Sequence, residues 1–164
     1  MNELFEAIGS SAIGDFMAVN PYAFPAVETL HVIAITAVFG VIMIVDLRLL
    51  GLAGMSYAVT RMSRSLLPAT WIAFLMAVVT GSLLFTSQPV TYAGNFSFRM
   101  KLLLIAAAGL NMLIFHFVTM RGIAAWDKDA PVPTAGRIAG GLSLLIWVCV
   151  VAFGRWIGFT MSPF

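Results

Sequence analysis

Two histidines carry the chemistry this sequence suggests most directly. His31 lies in ETLHVIAITAVFG and His116 in AAAGLNMLIFHF, both long apolar runs in a 164-residue chain that is 61% hydrophobic and 10% charged. Ionisable side chains inside a membrane are costly, so function is their default reading. A neutral imidazole is also the usual protein ligand of haem iron. His31 and His116 are therefore candidate iron ligands for a haem b. The competing use of each is a hydrogen bond between helices.

The depths of these residues restrict the arrangement. His31 comes soon after the start of its run and His116 near the end of its own, and the two runs cross in the same direction. At 1.5 Å per residue they differ in depth by roughly 16 Å, whereas two axial nitrogens on one iron sit about 4 Å apart. A two-fold dimer brings equal residues to equal depth, so either histidine could meet its own copy. Alternatively a methionine supplies the second ligand. Met43 lies near the depth of His116, although packing is the ordinary use of methionine. Arg155, in GRWIGF, lies near the depth of His31 and could neutralise a haem propionate, a quinone headgroup or Glu28; snorkelling to the interface is its other use. Gly81 and Gly154 at the same depth can open a slot, which favours His31 as the ligand. Glu28, one turn before His31, could orient the imidazole or cap the helix start. Asp46 and Arg48 read as interfacial anchors or as a pair across helices.

The elements that must position these residues are membrane spans. A soluble domain carries about 25% charged residues, and a chain this apolar would expose large greasy patches in water. Crossings of about 20 residues are expected at Pro25–Leu47, Leu66–Thr86, Arg99–Met120 and Arg137–Phe159. Their connections are short, and Pro131, Pro133 and Gly136 cannot continue a helix. The segment 1–24 places Leu4, Ile8, Ala12 and Phe16 at helical spacing and reads as an amphipathic helix on the membrane surface. The expected fold is all-α: an integral membrane four-helix bundle over 25–164 behind that interfacial segment.

Basic residues set the orientation. Arg48, Arg61, Arg64, Arg121, Lys128 and Arg137 flank the first and third connections, and Arg99, Lys101 and Arg155 lie on the other side. This expects a bacterial inner membrane, the first and third connections in the cytoplasm and both termini in the periplasm. A net charge of +2 without a basic run gives no footprint for nucleic acid. The single Cys149 cannot form an internal disulfide. Walker, dinucleotide, CxxC and HExxH motifs are absent, so no catalytic set is expected.

Three stretches, PAVETLHVIAITAVFGVIMIVDLRLLG, KLLLIAAAGLNMLIFH and GGLSLLIWVCVVAFGRWIGF, resemble a bacterial family of small four-helix membrane proteins with no assigned function. The resemblance runs from Pro25 onward and includes His31, Asp46, Arg48, Lys101, Asn111, His116, Ser143, Trp147 and Arg155. More loosely, a histidine-bearing four-helix bundle is similar to cytochrome b561 and copper-resistance D proteins, although those use more histidines. The resemblance implies the fold and a b-type cytochrome that transfers electrons across the membrane or at its outer face. Its partners would be lipids, a second copy, and a quinone or redox protein. The alternatives are a non-redox anchoring subunit of a membrane complex, and a small proton or solute carrier using Glu28, His31 and Arg155.

Overall fold

In lipid no water satisfies free backbone groups, so apolar segments of this length must close their hydrogen bonds internally as helices. The structure, a computed structural model, describes residues 2–128 and 130–161. Two short helices come first, α1 (Asn2–Gly9) and α2 (Ala12–Val19). They are followed by α3 (Ala23–Leu50), α4 (Val59–Ser87), α5 (Pro89–Gly94), α6 (Phe96–Phe117), a 3-10 helix (Thr119–Ala125) and α7 (Thr134–Met161). Helices α3, α4, α6 and α7 are each long and apolar enough to cross a bilayer. The shortest, α6 with 22 residues, is about 33 Å long, against a hydrocarbon core of about 30 Å. Apolar side chains such as Ile33, Leu75, Leu103 and Leu145 cover the outside. This is the architecture of a multi-pass membrane protein.

All four crossings lie where the sequence places them, with different ends. Helix α4 starts at Val59, a full turn and more before the expected Leu66, and runs through Pro68. Helix α6 ends at Phe117, and the 3-10 turn takes up the residues expected to extend it. Gly51 ends α3 in a left-handed conformation (φ 77°) that a side chain would strain.

The amino-terminal segment is helical, as its spacing predicts, but broken. Ser11 caps α2 by accepting from the Gly14 amide at 3.1 Å. A Cβ on Gly14 would overlap the carbonyl oxygens of Gly9 and Ile8, so the sharp turn needs glycine there. The pair folds back onto the bundle, α1 against α5 and α2 against α4.

Packing in the bundle is uneven. Helix α3 packs along α4 and α7, and α7 along α6, whereas α4 and α6 pack less closely and meet through Phe85 and Phe98. The four crossings thus form a horseshoe whose open side lies between α4 and α6. One apolar cluster, with Val38, Ala108, Ile146, Trp147 and Val150, fills the middle of the bundle. A second, with Leu49, Val59, Phe115, Trp126 and Val132, closes the end that carries the Arg48 loops.

Candidate functional site

The horseshoe encloses two spaces stacked along its axis. Val38, Phe74, Ile105 and Trp147 line both and form the partition between them. On one side is the His31 chamber, about 580 Å³. On the other is the Asp46 cavity, about 270 Å³.

His31 is built into its wall from three sides. Its Nδ1 lies 2.9 Å from Thr80 Oγ1 on α4. The Thr80 hydroxyl donates to the Met76 carbonyl at 2.7 Å, so its oxygen is left to accept. The network therefore assigns the proton of the imidazole to Nδ1 and leaves Nε2 with a free lone pair. The Ala77 carbonyl offers the ring a second acceptor on the same helix. Gly81 makes room: a Cβ there would sit 2.9 Å from His31 Cε1, closer than carbon atoms tolerate.

A cation faces the same chamber. Lys101 of α6 lines it, near enough to act on His31 through space. Its ammonium lies 5.6 Å from the Phe98 ring centroid, its stem packs where Gly154 leaves space, and no acidic side chain acts on it. Above it Phe85 stacks on Phe98 (centroids 5.6 Å apart, 16° between planes) and meets Phe5 of α1 edge-on at 5.9 Å. Tyr92 of α5 closes the cluster at 5.5 Å from Phe98. The amino-terminal helices thus supply an aromatic roof. Asn95 holds the adjoining corner, accepting from the Phe98 amide to start α6 and donating to Thr160 of α7 at 2.8 Å.

A scan of family models matches residues 8–160, the description being a family of unknown function, DUF6644. The chain belongs to that family. No curated protein and no solved structure matches it.

The other residues singled out in the sequence are scattered. His116 is exposed at the rim of the Asp46 cavity, its Nδ1 bonded to the Met112 carbonyl of its own helix at 3.1 Å. The two histidines therefore belong to different spaces, in line with their difference in depth. Met43 is exposed on α3 and lines neither space. Arg155 is exposed on α7, with its guanidinium 5.1 Å from the Phe159 ring, and also lines neither. Glu28 is exposed. The cation at the His31 chamber is thus Lys101, with Arg99 beside it in the wall. Among the described residues no three His, Cys, Asp or Glu side chains converge as a metal site.

Asp46 and Arg48 are not interfacial anchors. They are 5% and 0% exposed, and each has its own use. The Arg48 guanidinium donates to the Tyr57 carbonyl at 3.0 Å, to the Asp127 carbonyl at 3.2 Å and to Met55 Sδ at 3.6 Å, tying together the two loops at this end. Asp127 gave no signal in the sequence, because it caps a helix that is distant along the chain. Its carboxylate accepts from the Thr60 amide and hydroxyl at 2.8 and 2.6 Å, and its carbonyl accepts from the Val59 amide. The start of α4 is thereby capped from a loop 67 residues away in sequence.

Proposed function

We propose that the chain is a bacterial inner-membrane b-type cytochrome that binds one haem in the His31 chamber and passes electrons near the periplasmic face. The observation that carries this reading is the state of His31. Its Nδ1–H is held by Thr80, whose own proton is committed to the Met76 carbonyl. Such a backing bond fixes the tautomer and ring direction of a metal-ligating histidine and raises its basicity. Nε2 is left as the ligand atom, in the wall of an apolar space large enough for a cofactor.

The surrounding residues suit the other parts of a haem. A propionate needs a cation, and Lys101, with Arg99 beside it, offers one without an acidic competitor. The macrocycle needs flat apolar walls, and Phe85, Phe98 and Trp147 provide them. Haem b supplies a one-electron iron couple when bound. The aromatic roof would exclude water from that couple, and Thr80 orients the imidazole. The described lining of the chamber offers a single imidazole, so a second histidine ligand would have to come from a second copy of the chain. The opening between α4 and α6 is the side on which such a copy can approach. A quinone or a redox protein at the periplasmic surface would be the electron partner. The basic residues around the Arg48 loops support an orientation with that end in the cytoplasm.

Absorption spectra of the purified protein, oxidised and dithionite-reduced, test the reading. Wild type from haem-replete cells should show reduced haem bands, and His31→Ala should lose them while keeping its helical circular dichroism. A colourless wild type that also fails to take up added haemin ends the proposal and leaves an anchoring subunit or a carrier. Loss of the bands in His116→Ala alone would move the ligand to the other end of the bundle.

A further inference from the structure

The second space holds a group that the haem reading leaves unused. Asp46, in the last two turns of α3, is 5% exposed, and its Oδ2 is fully buried with no hydrogen-bond partner. The carboxyl has been carried inward by a close helix contact. A Cβ on Gly140 of α7 would lie 3.1 Å from the Asp46 carbonyl oxygen and 3.0 Å from Leu49 Cβ, so glycine lets α7 lie against α3 at this level. One turn on, Ser143 is the hydroxyl that reaches the Asp46 carboxyl. The other oxygen has no partner, in a residue that lines the cavity.

A buried carboxylate without a charged partner is costly, and membrane proteins keep such groups where a proton, an ion or a substrate meets them. Among the described residues, the one side chain of the wall that can carry a positive charge is His116, exposed at the rim. No lysine or arginine lines the cavity. Arg48, two residues on, is turned to the loop carbonyls. Asn111 directs an amide hydrogen to the Ala139 carbonyl at 3.0 Å, which leaves its Oδ1 as a further acceptor. Trp71, Phe74 and Trp147 add aromatic surface, and aliphatic side chains from all four crossings complete the lining.

Acceptors, aromatic surface and a described lining without lysine or arginine are complementary to a cation with an apolar body. We propose that the Asp46 cavity is a binding site for a small lipophilic ammonium, whose N–H donates to Asp46 Oδ2 and whose apolar part lies among Trp71, Phe74 and Trp147. The volume of about 270 Å³ holds on the order of ten non-hydrogen atoms at ~30 Å³ for a water-sized unit. That fits an aryl-alkyl amine. The opening between α4 and α6 gives such a molecule a path from the bilayer. The site does not depend on the His31 reading, because the two spaces share only their partition.

Equilibrium dialysis of labelled phenethylamine against the detergent-solubilised full chain tests this. Saturable binding of one molecule per chain is expected. Asp46→Asn, which keeps the shape and removes the charge, should weaken it about tenfold or more, the scale of a lost charged hydrogen bond. The neutral 2-phenylethanol should compete at least about tenfold less well on the same ground. Gly109→Leu provides a second variant that leaves Asp46 in place: Gly109 lines the cavity, and a Cβ there meets no atom within 4 Å. Filling the space in this way should also remove binding. Absence of saturable binding, equal binding by Asp46→Asn, equal competition by the alcohol, or full binding by a folded Gly109→Leu protein would each overturn the proposal.

Discussion

Arg48 and Asp127 are joined by a hydrogen bond to the main chain. Arg48 Nη2 donates to the Asp127 carbonyl at 3.2 Å, while the Asp127 carboxylate is engaged by Thr60. The pair joins three segments at one end of the bundle: the end of α3, the start of α4 and the loop before α7. Fixing these ends fixes the level at which Asp46 and Ser143 face each other.

The first prediction concerns Arg48 itself. Its fork reaches two carbonyls and a thioether from a fully buried position, a pattern that the single ammonium of lysine cannot reproduce. Arg48→Lys should therefore be clearly destabilising, and Arg48→Ala should cost more than about 3 kcal/mol, since each bond from a charged donor contributes roughly 1.5–3 kcal/mol. Thermal unfolding in detergent measures both. A lysine variant as stable as wild type would show that the loops are held by other contacts.

Asp127 gives a pH-dependent counterpart. The Thr60 hydroxyl and amide hold its carboxyl below the ordinary value of 3.8, with Arg48 adding to the effect. A carboxyl lowered on folding binds fewer protons in the folded chain than in the unfolded one. Its stabilising contribution is complete above the ordinary value and is lost as the pH falls through the lower folded value. At pH 7, Asp127→Ala should lose the roughly 0.5–2 kcal/mol of a helix cap. The gap in Tm between the variant and wild type should shrink below pH 3.8. A gap that stays constant down to pH 3 would mean that the carboxylate is not the cap.

The orientation proposed from the basic residues is open to labelling. Ser10 and Ser56 are both exposed, one at the end of the bundle that carries the termini and one in the α3–α4 loop. With Cys149→Ala as background, a membrane-impermeant maleimide added to intact spheroplasts should reach Ser10→Cys and spare Ser56→Cys until the membrane is permeabilised. The reverse pattern would invert the topology.

The sequence reveals depth far better than direction around the helix axis. Four apolar runs, their order and the separation of His31 from His116 are all legible, because length and rise per residue determine them. Facing is not legible, because a helix apolar on every side carries no stripe to mark its inner face. Arg155 and Lys101 illustrate the loss. Both lie toward the His31 end, yet Lys101 lines the chamber and Arg155 points away beside Phe159. Asp46 was unreadable for a related reason: its burial depends on Gly140 of another helix, 94 residues on in the sequence. The cap formed by Asp127 depends on loop geometry that no local pattern encodes.

Gly81 offers the sharpest test of how the His31 chamber is set. An added Cβ would stand 2.9 Å from His31 Cε1 and 3.4 Å from Nδ1, so the ring must tilt or slide. The ring cannot do so and keep its 2.9 Å contact with Thr80. Gly81→Ala should thus leave the bundle folded, since the residue is helical and alanine favours helices over glycine by about 1 kcal/mol. The same change should weaken haem uptake and shift the reduced bands, because the backing bond that orients the ligand is lost; second-sphere losses of this kind typically cost 10–100-fold in metal affinity. Thr80→Val removes the acceptor without crowding the ring and should reproduce the weaker uptake. Haemin titration followed by absorbance, with circular dichroism as the check on folding, distinguishes the two effects. If both variants bind haemin as wild type does, the Thr80 bond does not set the imidazole and His31 is not the iron ligand.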